Sequence, residues 1–337
     1  MSELCLLLPG LTAPPPPALG QQLPSSPRIT RLLSRADVAP LPGVDYESTL
    51  CGLFGIDTAN QDAPVAAIER VALGLPRDER CWILVEPVCL RPDQSRLLLF
   101  DTLDFDVSAQ ELDSLGRSFA EHFQRDGRLV EVNEPGRWYL SPPAGCGVRS
   151  HSLGEAFGRN MDLFLPRGEG RLAWHALLNE AQMLLFSDPV NIDREALGKM
   201  PVNGVWLSGS GPLPAAPERR YERIHAAGLL ARGVASLAGV ALDDSRPPDP
   251  QRRLQLPTLA VYDRLWRPTL RADPFAWWEE LLRLERWLES WLAALRSGRL
   301  ESLRLSGCDG TEFRLRRRHL LRFWRATRPL SGWAGRK

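Results

Sequence analysis

Residues 172–214 constrain the fold more than any other stretch of this chain, because helix, turn, strand and glycine-rich segment follow one another there with little ambiguity. Trp174, Leu177, Leu178, Ala181, Leu184 and Leu185 recur at helical spacing and make one apolar face, while His175, Asn179 and Gln182 stand beside it at i, i+4 and i+7. The spacing predicts an amphipathic helix with a polar stripe, ended by Ser187, Asp188 and Pro189. The apolar run 202–207 then predicts a buried strand that empties into a loop of Ser208, Gly209, Ser210 and Gly211. In open α/β sheets ligands bind at loops leaving the carboxyl ends of strands, so a binding surface is expected where this loop meets His175, Asn179, Gln182 and Asn191. The loop lacks the Gly-Lys-Ser/Thr ending of a P-loop and the third glycine of a dinucleotide fingerprint.

The flanking segments follow the same grammar. Residues 4–8 read as a buried strand that ends at Pro9-Gly10, and Pro14 to Pro17 form a stiff polyproline run that cannot enter a sheet. Helices are expected at 29–36, 48–54 and 65–73. Strand-like runs at 81–90, 96–101, 128–133 and 137–141 surround one helix opened by a capping box, Ser108 with Glu111. Strands grouped in this way predict an α+β subdomain over residues 79–144, inserted into an α/β core made of 1–78 and 145–337. Short helices are expected at 217–227 and 231–237, and a strand at 258–262. Asp273 caps a long helix with Pro274 at its first position, Trp277, Leu281, Leu284, Leu288, Trp291 and Leu295 on one arc, and Gly298 at its end. Leu303 and Leu305 face Phe313 and Leu315 across Asp309-Gly310, a hairpin signature. An arginine-rich aromatic helix is expected at 316–325.

Composition narrows the function classes. A formal charge of +1 over 337 residues offers no global reason to bind nucleic acid or an anionic membrane. The local exception is the C-terminal segment, where Arg314, Arg316, Arg317, Arg318, Arg322, Arg325 and Arg328 interleave with Phe323 and Trp324, a pattern that can bind single strands. A docked terminal helix with its arginines solvated or paired is the preferred expectation, and nucleic acid is disfavoured. The six cysteines form no C-x-x-C pair and no zinc spacing, and are expected as buried free thiols in a reducing cytoplasm. No apolar run approaches the roughly eighteen residues of a membrane span, so a cytoplasmic protein with no membrane partner is expected. Asp188, Asn191, Asp193 and Glu195 stand where turn residues cap a following helix.

Several motifs together resemble a known family. They are Leu178-Asn179-Glu180 with Gln182-Met183, Asp188-Pro189-Val190-Asn191, Pro201-Val202-Asn203 leading to Trp206-Leu207, the Gly209 to Pro214 loop, Glu86-Pro87-Val88-Cys89-Leu90-Arg91, Arg137-Trp138-Tyr139-Leu140 and Arg328-Pro329-Leu330. Over nearly the whole chain the order resembles bacterial proteins described as RpfE-type regulatory proteins or as cofactor-independent phosphoglycerate mutases. More distantly it is similar to the archaeal-type mutases of the alkaline phosphatase superfamily. That resemblance implies an alkaline phosphatase-like mixed sheet flanked by helices, with an inserted α+β subdomain, and a two-metal site for phosphoryl transfer. Carried over residue by residue, the site is incomplete. Pro9-Gly10 stands where those mutases have Asp-Gly after the first strand, Asp45 aligns with the nucleophile with Ser48 and Thr49 beside it, and Cys308-Asp309-Gly310-Thr311 stands where an Asp-His pair belongs.

The expectation is therefore a catalytically inactive, regulatory relative of the mutases without a cofactor, binding a protein partner or a small anionic or phosphorylated ligand. The alternative is an active mutase or phosphatase with Mn or Mg, using Ser48 or Thr49 as nucleophile and Asp45, Glu47 and Asp309 as metal ligands.

Overall fold

The computed structural model describes residues 2–13, 27–94, 96–125, 127–134, 136–251, 254 and 256–333; the Pro14 to Pro17 run lies outside them. In chain order the elements are β1 (Glu3–Leu7), α1 (Pro27–Arg35), β2 (Asp37–Pro40), α2 (Tyr46–Leu53), α3 (Val65–Ala72), β3 (Cys81–Asp93), β4 (Arg96–Asp101), α4 (Ala109–Phe123), β5 (Leu129–Glu134), β6 (Arg137–Ser141), α5 (Leu153–Ala156), α6 (Arg171–Phe186), α7 (Pro189–Ala196) and β7 (Gly204–Pro212). They continue with β8 (Arg223–His225), α8 (Leu229–Ala238), β9 (Ala241–Asp243), β10 (Thr258–Val261), α9 (Trp266–Leu270), α10 (Pro274–Ser297), β11 (Ser302–Ser306) and β12 (Thr311–Arg316). The chain divides into two compact units, Met1–Thr58 with Ala216–Lys337, and Ala59–Ala215. The second takes in the 79–144 stretch and extends beyond it at both ends, because β7 pairs with β3.

In the first unit the described strands form one sheet in the order β2-β12-β11-β1-β10-β8-β9. β1 pairs in parallel with β10 and β11, β8 in parallel with β10 and β9, and only the β12 and β2 edge is antiparallel. Buried runs such as Leu4 to Leu7 suit a sheet covered on both faces. Leu4 and Leu6 pack with Trp277, Leu281, Leu288 and Trp291 of α10 in one apolar cluster. The caps of α10 are those its sequence predicts: Asp273 accepts from the amides of Phe275 and Ala276, and Gly298 takes the left-handed conformation at φ +76°. The β11–β12 hairpin also forms in the expected register, with Leu303 opposite Leu315 and Leu305 opposite Phe313.

Two expectations fail here. The stretch 217–227 contains β8 instead of a helix, since Arg223, Ile224 and His225 find parallel partners on β10 and sheet pairing overrides local helix preference. The C-terminal 316–325 helix is reduced to one 3-10 turn over Arg317–Leu321, because β12 runs on to Arg316. Beyond it Arg322 bonds Asp37 and the Arg35 carbonyl, and Arg325 donates to the Ala36 carbonyl, so these two guanidinium groups tie the chain end to α1.

The second unit is built on β3, which pairs antiparallel with β6, β4 and β7. One face of this sheet, carrying Ile83, Val85, Trp138, Leu140, Val205 and Leu207, packs on Leu115 and Phe119 of α4 and Trp174, Leu177 and Leu185 of α6. The apolar arc of residues 174–185 is thus core packing, as its period predicts. The cysteines depart from expectation: Cys81 and Cys146 are joined in a disulfide, while Cys5, Cys51, Cys89 and Cys308 are buried free thiols. Sequence spacing cannot pair cysteines that only the sheet brings together. Among the described residues no helix is long and apolar enough to cross a membrane.

Asn191 locks α7 into this unit. Its amide nitrogen donates to the carbonyls of Leu185 at 2.7 Å and Val202 at 2.9 Å, and its oxygen accepts from the Val202 amide at 2.8 Å. Asp188, next to it, is the N-cap of α7. An Asn191→Ala change leaves these buried backbone groups unpaired and is expected to cost about 2–3 kcal/mol, measured as a shift in the urea unfolding midpoint.

Candidate functional site

The polar stripe and glycine loop expected to form a binding surface are not brought together as one. His175 Nε2 lies 3.0 Å from the Pro166 carbonyl, Asn179 is exposed, Gln182 is half-buried and Asn191 is spent on backbone clamping. Ser208 to Gly211 is no loop at all, since these residues lie within β7 opposite Trp82 and Leu84 of β3. The register shifts between Trp82 and Leu84, which places a bulge at Gly209 and Ser210. Gly209 holds φ at +61°, and a Cβ there would stand 2.6 Å from Val65 Cβ, so a helix packing closely on the bulge explains the glycine. The hydroxyls point into the protein: Ser208 donates to Glu86 Oε2 at 3.1 Å, and Ser210 to Asp62 Oδ2 at 3.1 Å.

A buried ionic cluster lies on that face of the sheet. Arg137 donates to both oxygens of Glu69, at 2.9 and 2.6 Å, and to Glu86 Oε1 at 3.2 Å, while the Tyr139 hydroxyl donates to Glu69 Oε2 at 3.1 Å. Two carboxyl groups share one guanidinium. Burial pushes the Glu86 carboxyl up to about 7, opposed by Arg137 and helped by the charges of Asp101 and Glu69. Sequence reading missed this cluster, although one signal was present: Glu86 interrupts the otherwise apolar run 82–90, and Glu69-Arg70 interrupt the apolar helix α3. Every charged group in the cluster has a partner in it, which is the arrangement of a structural network.

The residues of the alternative site are brought together. In the first unit, the C-terminal ends of β1, β10 and β11 open onto the same edge of the sheet, the usual place for ligands in such folds. The β11–β12 turn, residues 307–310, meets the loop before α2: the Leu41 amide donates to the Gly310 carbonyl at 2.9 Å. Gly307 is required there, because a Cβ would come within 2.2 Å of the Thr12 hydroxyl. Cys308 is buried and holds φ at +61°, an uncommon conformation for a residue with a side chain. Its thiol is pushed well above its ordinary value by burial and by the neighbouring carboxylates of Asp45 and Asp309, so it is held neutral. Burial, with the nearby Asp263 carboxylate, likewise pushes the Tyr46 phenol up. Thr49 is wholly buried, its hydroxyl against the Cys308 thiol.

Asp45, Ser48 and Asp309 already have local duties there, whereas the buried Thr49 hydroxyl has no hydrogen-bond partner among the described residues. Asp45 is the N-cap of α2: its Oδ1 accepts from the Ser48 amide and the Ser48 hydroxyl, both at 2.7 Å. Ser48 Oγ also accepts from the amides of Val44 at 3.1 Å and Asp45 at 3.3 Å, so its one donor and both acceptor positions are filled. Asp309 Oδ1 accepts from the Thr311 amide at 3.1 Å and closes the hairpin turn. Glu47 lies in the first turn of α2, half-buried. A two-metal centre needs several hard oxygen or imidazole donors converging on ions about 4 Å apart. The donor set does not fit: a neutral thiol and two turn-capping aspartates make no such cage, and among the described residues no group of three or more His, Cys, Asp and Glu could hold a metal ion.

No family model matches the chain. It is 26% identical over 187 residues to a 2,3-bisphosphoglycerate-independent phosphoglycerate mutase of Methanosarcina mazei, a match covering 51% of this chain and 43% of the relative. A protein of the same description from Methanothrix thermoacetophila is 32% identical over 88 residues, or 26% of this chain and 22% of the relative. The matched stretch thus spans less than half the length of these curated relatives. Among solved structures, the PH0037 protein of Pyrococcus horikoshii is similar with a TM-score of 0.51 at 15% identity, covering 93% of this chain and 86% of that one. The cofactor-independent phosphoglycerate mutase of Thermoplasma acidophilum is similar with a TM-score of 0.49 at 14% identity, covering 100% of this chain and 95% of that one. The likeness to the Pyrococcus protein is one of fold: mixed α/β, with sheets flanked by helices. Over the matched stretches the sequence itself is distantly similar to archaeal 2,3-bisphosphoglycerate-independent phosphoglycerate mutases.

Proposed function

We propose that the protein is a relative of the phosphoglycerate mutases that acts by binding, in a regulatory role of the RpfE type, and does not transfer phosphoryl groups. The observation that carries this reading is the saturation of Ser48. Its hydroxyl donates to Asp45 Oδ1 and accepts from two backbone amides, so it has no lone pair aimed at a phosphate and no base to take its proton except the carboxylate that caps the helix. Thr49, the other candidate nucleophile, is wholly buried against a neutral thiol. The ligand of such a protein is a protein partner or a small anionic or phosphorylated molecule, and its place is the cytoplasm.

The test is a coupled assay of the purified full chain with 3-phosphoglycerate, and of phosphomonoester hydrolysis, with Mn or Mg supplied. No turnover above a heat-treated control is expected. A clear rate that disappears in Ser48→Ala or Asp309→Ala overturns the reading in favour of an active enzyme with an unusual site.

A further inference from the structure

We infer that the first unit carries a mononucleotide-sized binding pocket on the open face of β8, β9 and β10, built on Arg223, His225 and Arg246. The inference rests on the binding reading above and gives that reading a location away from the β1 and β11 edge.

A cavity of about 790 Å³ lies there, within the size range of small-molecule sites. Its floor is set by register: Arg223 stands beside Ala241 and Thr258, and His225 beside Asp243, so alternate residues of three neighbouring strands line the same side. Segment 246–249 with Leu254 and Leu256 forms the remaining wall, and Pro247, Pro248 and the two leucines make that wall apolar.

The polar groups are unevenly committed. Among the described residues, the guanidinium groups of Arg223 and Arg246 have no hydrogen bond or ion pair, unlike Arg219, which pairs with Glu222. His225 is only 9% exposed. Its Nδ1 lies 2.9 Å from the Arg246 carbonyl, and a carbonyl only accepts, so Nδ1 carries a proton. The other ring nitrogen, Nε2, has no partner among the described residues. Asp243 Oδ1 accepts from Ser245 and from the Arg246 amide, which holds the 243–246 turn against the ring.

Each group then has a matching part in one ligand class. Two free guanidinium groups suit a phosphate, which they bind with paired donors. The Asp243 and Glu222 carboxylates suit hydroxyl donors such as those of a ribose, with His225 Nε2 beside them as a further polar partner. The apolar wall suits a flat ring, and the cavity is too large for a bare phosphate or a three-carbon acid. A nucleoside monophosphate satisfies all three, whereas inorganic phosphate or 3-phosphoglycerate satisfies only the first and part of the second.

The experiment is isothermal titration of the full chain with AMP, GMP, inorganic phosphate and 3-phosphoglycerate, beside the mutase assay on the same sample. At least one mononucleotide is expected to bind about tenfold or more tighter than phosphate and 3-phosphoglycerate. Arg223→Ala and Arg246→Ala, each checked for native circular dichroism, should weaken it by about tenfold or more, and His225→Gln should weaken it less. Absence of mononucleotide binding at millimolar concentration, equal affinity for phosphate alone, or affinity unchanged in both arginine variants overturns the proposal. Mutase turnover would overturn the functional reading by a separate signal, so the two failures are distinguishable.

Discussion

Arg137→Met is expected to destabilise the protein by about 3 kcal/mol near pH 8 and by about half as much near pH 5, because it removes the one cation between two buried carboxyl groups. Arg137 holds Glu69 through two hydrogen bonds and Glu86 through one. Glu69 is 3% exposed and Glu86 9%, so neither can turn to water when the guanidinium is gone. The pH dependence follows from Glu86, whose carboxyl is raised from 4.5 to about 7, first by burial. A carboxyl raised in the folded state binds its proton more tightly there than in the unfolded chain. The stability it contributes is therefore complete below about 4.5 and is lost as pH rises to about 7, with no further change above. That difference corresponds to about 3 kcal/mol. Glu86→Gln should accordingly flatten the stability profile between these values and stabilise the protein at pH 8. Urea unfolding of the full chain at a series of pH values measures both variants. A flat profile for the unaltered protein, or an Arg137→Met cost that does not change with pH, would show that the cluster does not store a proton.

A second large effect is expected at Gly43. Its φ is +89°, and a Cβ would lie 2.3 Å from the Thr49 amide nitrogen and 2.5 Å from the Ser48 carbonyl carbon. Those neighbours are backbone atoms of the first turn of α2, which cannot swing aside as a side chain can. Gly43→Ala should cost roughly 3 kcal/mol or more, from left-handed strain together with overlap. Gly74→Ala is the control, since Gly74 has φ +73° but nothing within 4 Å of a Cβ; it should cost only about 1 kcal/mol. Equal losses at the two positions, read from unfolding midpoints, would mean that crowding at α2 adds nothing. Because Gly43 precedes the Asp45 and Ser48 cap, the same variant should also alter the near-UV signal of Tyr46.

Much of the fold is legible in the chain because the relevant physics is local. The Asp273 cap, the Pro274 start and the Gly298 end of α10 act through groups a few residues apart, and all three appear as expected. The hairpin at Asp309-Gly310 is local in the same sense. The candidate site was legible only in part. Asp45, Ser48 and Asp309 are identifiable by resemblance, but the bonds that occupy Ser48 depend on how the chain enters α2. His225 carries no sequence signal, since the expected helix hid the strand that places it.

The amino-acid sequence by itself determined the helical and strand periods, the caps and the turns. The tertiary structure alone decided that residues 204–212 join β3 as an antiparallel strand, that Cys81 bonds Cys146, that Glu69 and Glu86 share Arg137, and that Arg223, His225 and Asp243 line one pocket. The reason is one of range. Propensity and capping energies are set by neighbours in sequence, whereas strand partners, disulfides and shared charges join residues far apart in the chain and are chosen by which packing buries the most apolar surface with every polar group paired.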